Sequence, residues 1–153
     1  TTLFPLTGSL TASSAFKTSS WVNCAMVNPL ILGLLAVVCG DPAEAAGRFE
    51  RFTGRKANRT RYGQAIGLDR GQVTLMARDP FAAMFGEIEI PGLPFMGAYA
   101  IRVQSLAAVE SLLQRARMQT RRAGQALVAP LPAELGAGAW LFVENAGDLP
   151  WRS

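Results

Sequence analysis

The chain contains no histidine. That absence removes Ser-His-Asp and Cys-His nucleophilic catalysis, His-ligated zinc and a histidine pH switch together. Two thiols, Cys24 and Cys39, lie in apolar surroundings that suit buried, inert sulfur. A lysine-activated nucleophile would need Lys17 or Lys56, and neither sits in a motif for one. Gly54-Arg55-Lys56 lacks the spaced glycine before it and the Ser/Thr after it that a phosphate loop requires. What remains is a set of aromatic, basic and acidic side chains on two apolar runs. Under strand alternation Trp140, Phe142 and Glu144 share a face. On an earlier run Tyr99, Ile101 and Val103 share one face, and Ala98, Ala100 and Arg102 the other. Two aromatics beside an Arg and a Glu suit a planar or aromatic ligand, neutral or anionic, and the small alanines would leave it room. Phe95 and Met96, just after a Pro-flanked loop, would line the entrance. The competing reading places Trp140 and Phe142 in the core, pairs Arg102 with a surface acid, and makes Phe95 and Met96 core cover.

Charge offers a second chemistry. Arg48, Arg51, Arg55, Lys56, Arg59 and Arg61 put six basic residues within fourteen positions, and the pI is about 9.7. Such a stripe is the electrostatic footprint of a nucleic-acid binder. Only Tyr62 follows it as an aromatic, and no nucleic-acid motif accompanies it. A solvated helix end and loop accounts for the same residues, and late basic residues also favour a helix C-terminus.

These residues must be positioned by a chain of 153 residues, 50% hydrophobic and 17% charged, with net charge +4 and mean hydropathy +0.20. That length is near one domain and buries a sizeable core without staples. Two cysteines are too few for a disulfide framework, and the apolar content excludes wholesale disorder. Of 15 basic and 11 acidic residues, only Lys17 precedes Asp41. The Ser/Thr-rich start reads as an N-terminal arm or excerpted segment over residues 1–29. Trp21–Gly40 is uncharged and long enough to span a bilayer, but Asn23, Asn28 and Pro29 interrupt it. Its clean part, Leu30–Cys39, fits a buried strand better than a membrane span or an export signal.

A pattern then occurs twice. Leu30–Cys39 leads into a helix over Asp41–Phe52, with Asp41 as N-cap, Pro42 at the first helical position and Gly54 as stop. Ala45, Ala46, Phe49 and Phe52 mark its apolar face. Strands follow at Gln64–Leu68 and Gln72–Ala77 around the turn Asp69-Arg70-Gly71. Later, Tyr99–Val103 leads into a helix capped by Ser105 and running to about Met118, then strands at Gln125–Ala129 and Ala139–Glu144. Between the copies, Pro80–Phe85 reads as a helical turn and Glu87–Ile90 as a short strand. Strand–helix–strands, twice, is an α+β pattern that must bury two helix stripes against sheet. If the sheet curls, its free face becomes a ligand cleft.

The blocks Leu34–Phe52, Leu68–Gly71, Leu93–Val103 and Leu135–Glu144 resemble the vicinal oxygen chelate superfamily, the glyoxalase/bleomycin-resistance fold, and most closely its glyoxalase-like domain proteins. The resemblance covers about residues 31–145. It implies two tandem βαβββ modules forming a curved mixed sheet with helices on the outer face, here a domain over 30–150 with modules at about 30–92 and 93–147. Many members hold a divalent metal in the cleft through His and Glu, as a Lewis acid. The matching first-strand slots here fall at Gly33, Leu34 and Leu35, and at Ala98 or Tyr99, none of which offers a side-chain ligand. Glu87, Glu89 and Glu144 are the acidic candidates, with Glu144 nearest to where the family places a Glu; otherwise it is a solvated strand-end carboxylate. The expectation is therefore a cytoplasmic, small-molecule-binding protein without the usual metal site or other cofactor. Its ligand would sit among Trp140, Phe142, Arg102, Phe95, Met96 and Ala98. The resemblance adds a homodimer; nucleic acid and membrane are not expected as partners. The alternatives are a metal-dependent lyase, isomerase or dioxygenase of the vicinal oxygen chelate type, and a basic nucleic-acid-binding module. An enzyme of that type needs three convergent polar ligands, a binder only a cleft with one or two charges, and a nucleic-acid module steep salt dependence.

Overall fold

A computed structural model describes residues 27–152, with side chains from Leu34 onward. Cys24, Trp21 and almost all of the expected N-terminal arm lie outside the described residues. The elements run β1 (Val27–Val38), α1 (Pro42–Thr53), β2 (Ala57–Thr60), β3 (Gly63–Leu68), β4 (Gly71–Met76), α2 (Arg78–Met84), β5 (Phe95–Val103), α3 (Leu106–Arg115), β6 (Arg121–Ala123), β7 (Ala126–Pro130) and β8 (Ala139–Val143). All eight strands form one mixed sheet in the order β2-β3-β4-β1-β5-β8-β7-β6. β1 pairs with β4 in parallel and β5 with β8 in parallel, so each βαβββ unit closes on its own first strand. Antiparallel β1 and β5 join the two units. No helix of the described residues is long and apolar enough to cross a membrane.

Local chemistry sets the helix ends. The Asp41 carboxylate accepts from the N–H groups of Ala43 (2.8 Å) and Glu44 (3.1 Å), satisfying donors that the first turn leaves open. Gly54 closes α1 at φ +68°, a conformation cheap for glycine. Ser105 Oγ accepts from Ala108 N to start α3. That helix stops at Arg115, short of the expected Met118, because Arg117 turns to φ 57°.

Two corrections concern strands. Glu87–Ile90 forms turns and irregular chain rather than a strand. Conversely, β2 occupies part of the arginine stripe that reads as helix end and loop, and β6 follows α3 unannounced. Both are short edge strands whose hydrogen bonds come from their hairpin partners, β3 and β7. A third correction is Phe52, 90% exposed rather than on the packed face of α1. Phe52 lies in the last turn of α1, and just beyond it the chain is tied back by Glu50, whose Oε1 accepts from Ala57 N at 2.7 Å.

The sheet buries both faces. Under α1, Val37, Cys39, Ala46, Ile66, Val73 and Leu75 pack together with the half-buried Phe49. Under α3, Val103, Leu106, Val109, Leu113, Leu127 and Phe142 do the same. The opposite, inner face carries the largest cluster, and α2 sits on it. Phe81 and Phe85 are fully buried there beside Leu149 and Trp151 from the chain's last turn. Arg121 fastens this cover: its guanidinium contacts Glu87 (2.6 Å), donates to Met84 O (2.9 Å) and lies 5.8 Å from the Phe85 ring centre.

Candidate functional site

Register between β5 and β8 decides which candidates meet. Tyr99 pairs with Trp140, Ile101 with Phe142, and Arg102 with Val143. Paired residues of neighbouring strands point to the same face. Trp140 and Phe142 therefore lie on the α3 side, where Phe142 is buried among Val103, Leu106 and Leu113. Arg102 and Ala98 lie on the inner face. The expected cleft between Trp140 and Arg102 does not form, because the sheet separates them. Phe95 is buried on the inner face, edge-on to Phe81 with ring centres 6.1 Å apart, so it belongs to the packing under α2 rather than to an entrance. Met96 is 52% exposed, and Ala98 is fully buried. Glu144 turns to α3: its Oε1 accepts from Leu106 N at 2.8 Å, which gives the carboxylate a helix-capping task.

The divalent metal implied by the resemblance was tested against the inner-face residues of the four central strands. They are Leu34, Ala36 and Val38 on β1, Gln72, Thr74 and Met76 on β4, Phe95, Ala98, Ala100 and Arg102 on β5, and Ala139, Leu141 and Val143 on β8. One hydroxyl, one amide and a guanidinium among aliphatic, aromatic and thioether groups, with no carboxylate, imidazole or thiolate, are not a transition-metal donor set. Among the described residues no three His, Cys, Asp or Glu side chains gather closely enough to hold an ion. The residues do not fit that group, and the centre of the inner face is packed with Phe81, Phe85 and Phe95.

Open space lies to one side of this plug. A pocket of about 440 Å³ sits over β2, β3 and β4 on the inner face, closed on one flank by the last turn of the chain. Ala65 and Gly67 form its floor, and their lack of side-chain bulk creates the space. Asn58, Thr60, Arg61, Gln72, Trp151 and Arg152 surround it. Gln72 is held at both ends of its amide: Nε2 donates to Thr74 Oγ1 at 3.1 Å, and Oε1 accepts from Arg152. Arg61 lies with its guanidinium carbon 5.3 Å from the Tyr62 ring centre. Neither Arg61 nor Arg152 forms an ion pair among the described residues. Trp151 is 2% exposed, its ring edge-on to Phe85 at 6.2 Å. Its indole N–H and Thr60 Oγ1 are the two buried side-chain polar atoms that find no hydrogen-bond partner among the described residues. Both residues line this one pocket.

Sequence reasoning missed this site. Arg61 belonged to the stripe read as solvated loop, and Trp151 follows the last strand with no periodicity around it. The available signal was a tryptophan two residues after Leu149 in an otherwise polar end, since a large aromatic there must find cover. A second, apolar pocket of about 320 Å³ lies on the α1 side beside Cys39, Phe49 and Leu75. Burial raises the Cys39 thiol above its usual pKa, and the Asp41 and Glu44 carboxylates add to the rise, so the sulfur is protonated and unreactive near neutrality.

Two parallel-closed βαβββ units joined through their first strands constitute the vicinal oxygen chelate fold, and this chain has it. Solved structures with the same fold include methylmalonyl-CoA epimerase from Mycobacterium tuberculosis, at 18% identity over 80% of this chain and 94% of that one, TM-score 0.55. A Streptomyces coelicolor methylmalonyl-CoA epimerase variant in complex with 2-nitronate-propionyl-CoA matches at 8% identity over 78% and 98%, TM-score 0.54. An extradiol ring-cleaving dioxygenase from B. fuscum matches at 12% identity over 83% of this chain and 36% of that one, TM-score 0.54. No protein-family model matches the sequence, and no curated protein matches it.

Proposed function

We propose that this chain is a glyoxalase-like small-molecule-binding protein that works without a bound divalent metal, its ligand seated over β2–β4 on the inner face. The observation that carries the reading is the polar pocket of about 440 Å³ beside a centre filled with aromatic rings. Small-molecule sites are concave, with a few placed polar groups on an otherwise packed wall. The bound acyl-CoA of the epimerase complex supports a small-molecule role for this fold in general.

The test is a ligand screen of the purified protein by thermal shift, run once with EDTA and once with Ni²⁺, Zn²⁺ or Mn²⁺, alongside elemental analysis. Gly67→Phe serves as the pocket-filling variant, because a Cβ at Gly67 meets nothing within 4 Å and the backbone there is not left-handed. The reading expects stabilising compounds in EDTA whose effect Gly67→Phe abolishes. A stoichiometric metal on which every hit depends, or hits that Gly67→Phe leaves unchanged, would overturn it.

A further inference from the structure

We infer that the pocket over β2–β4 takes an oxyanion, the carboxylate of a small organic acid or a phosphate group; this rests on the reading of that pocket as the ligand site. Its wall supplies donors in excess. Arg61 and Arg152 each bring a guanidinium and Asn58 an amide, and Trp151 and Thr60 belong to the same lining with their polar atoms just beneath the surface. No Asp or Glu lines it. Asp69, on the adjoining β3–β4 turn, is occupied by Arg55. The two arginines are set to recognise rather than merely to solvate. Arg152 is held by Gln72, and a guanidinium has five N–H donors in a planar fork, so most of its donors stay available. Arg61 presents its carbon over the Tyr62 ring. A cation–π contact uses none of the guanidinium N–H donors in a hydrogen bond, so they stay available to a bidentate acceptor.

The second, independent observation is the pair of orphans. Buried polar side-chain atoms in folded proteins are nearly always satisfied, and an unsatisfied donor costs free energy. The Trp151 indole N–H is a donor with no acceptor option, on a residue 2% exposed. Thr60 Oγ1 is the other, and both belong to the wall that carries the two guanidiniums. An oxygen-rich anion is the ligand class that answers two guanidiniums at once and that the Trp151 N–H and Thr60 hydroxyl, once turned toward the pocket, can also meet. A neutral or cationic ligand leaves the arginines without a counter-charge in the pocket.

The experiment follows tryptophan indole N–H signals of the ¹⁵N-labelled full chain, with Trp151→Phe assigning the Trp151 signal by its loss. The probes are inorganic phosphate, propionate and malonate, each titrated against chloride at matched ionic strength. The expected result is a saturable shift of the Trp151 signal by phosphate or by the carboxylates, with affinity falling about ten-fold or more in Arg61→Gln and in Arg152→Gln. The phosphate and carboxylate arms separate the two sources of the oxyanion. Both arginines are exposed, so the variants fold, and the unshifted Trp140 signal verifies this. A Trp151 signal that none of the three anions moves beyond chloride overturns the inference. So does an affinity that both variants leave unchanged. If neutral compounds still bind in EDTA and Gly67→Phe blocks them, the pocket reading stands while the oxyanion falls. If binding needs a metal, both fall.

Discussion

The plug on the inner face can be tested at one atom. Ala36 pairs with Ala98 and Val37 with Met96, so Gly97 is the extra residue of a bulge in β5. A Cβ built on Gly97 would stand 2.4 Å from two carbons of the Phe81 ring and 3.2 Å from a third. Carbon atoms in contact settle at roughly 3.5–4 Å, so the ring would have to retreat by about 1 Å or more. It has nowhere to go. Phe81 is fully buried, with Phe85 at 5.0 Å and Phe95 at 6.1 Å between ring centres. Gly97→Ala should therefore carry an overpacking cost of about 1–3 kcal/mol. In a chain of this size that lowers the melting temperature by roughly 3–10 °C. Phe81→Ala alone should cost about 3–5 kcal/mol through the cavity it leaves. In the double variant the new methyl occupies space the ring has vacated, so the two losses should fall short of additivity by about 1–3 kcal/mol. Urea unfolding of the four proteins, read as midpoint and slope, measures the cycle. A Gly97→Ala protein within about 0.5 kcal/mol of the parent, or strictly additive losses, would mean that α2 does not rest on β5 and that the inner face is open.

Two further outcomes follow from single contacts. Glu144→Ala should lose about 1 kcal/mol of stability by uncapping Leu106 N, with Glu144→Gln losing less, as followed by urea midpoint. For Cys39, a thiol pKa raised in the native state means that its contribution is complete below the unfolded value of 9.0 and is lost as pH rises past it toward the native one. Stability above pH 9 should fall more steeply in the parent than in Cys39→Val, a comparison that cancels the common alkaline losses and that equal slopes would contradict.

The two helices were legible because their signals are local. Asp41, Pro42 and Gly54 bracket α1, and Ser105 opens α3, each through a contact within a few residues. The apolar runs of β1, β5 and β8 were equally plain, since burial on two faces demands continuous hydrophobicity. The edge strands were not. Ala57–Thr60 and Arg121–Ala123 have no apolar alternation, because their backbones are held by a hairpin partner. The candidate site failed for a different reason. Alternation sorts the residues of one strand into two sets, but only inter-strand register says which set of β8 joins which set of β5. Trp140 was consequently matched with the wrong side of the sheet. The pocket itself is lined jointly by Trp151 and by Asn58 and Thr60, segments about ninety residues apart in sequence whose meeting no local pattern announces.

The two βαβββ units share a topology but not an inner surface. β6–β8 present Ala126, Val128, Leu141 and Val143, roofed by Phe85 and Leu149, whereas β2–β4 present Asn58, Thr60, Gln72 and Thr74 beside open space. The halves meet along the sheet through β1 against β5, and across the inner face through Phe85 against Trp151, Arg121 against Glu87 and Arg152 against Gln72. Such a duplicated architecture separates durability from adaptability. Asn58 and Thr60, on the edge strand β2, can trade side chains without touching the β1–β5 seam, whereas Gln72 pairs with Leu34 of β1 and accepts from Arg152. On the proposed reading of the pocket as the ligand site, a lineage carrying this chain could exchange one ligand for another by a handful of substitutions at the edge strand. The same separation makes the β2–β4 surface the natural place to graft a new specificity by design.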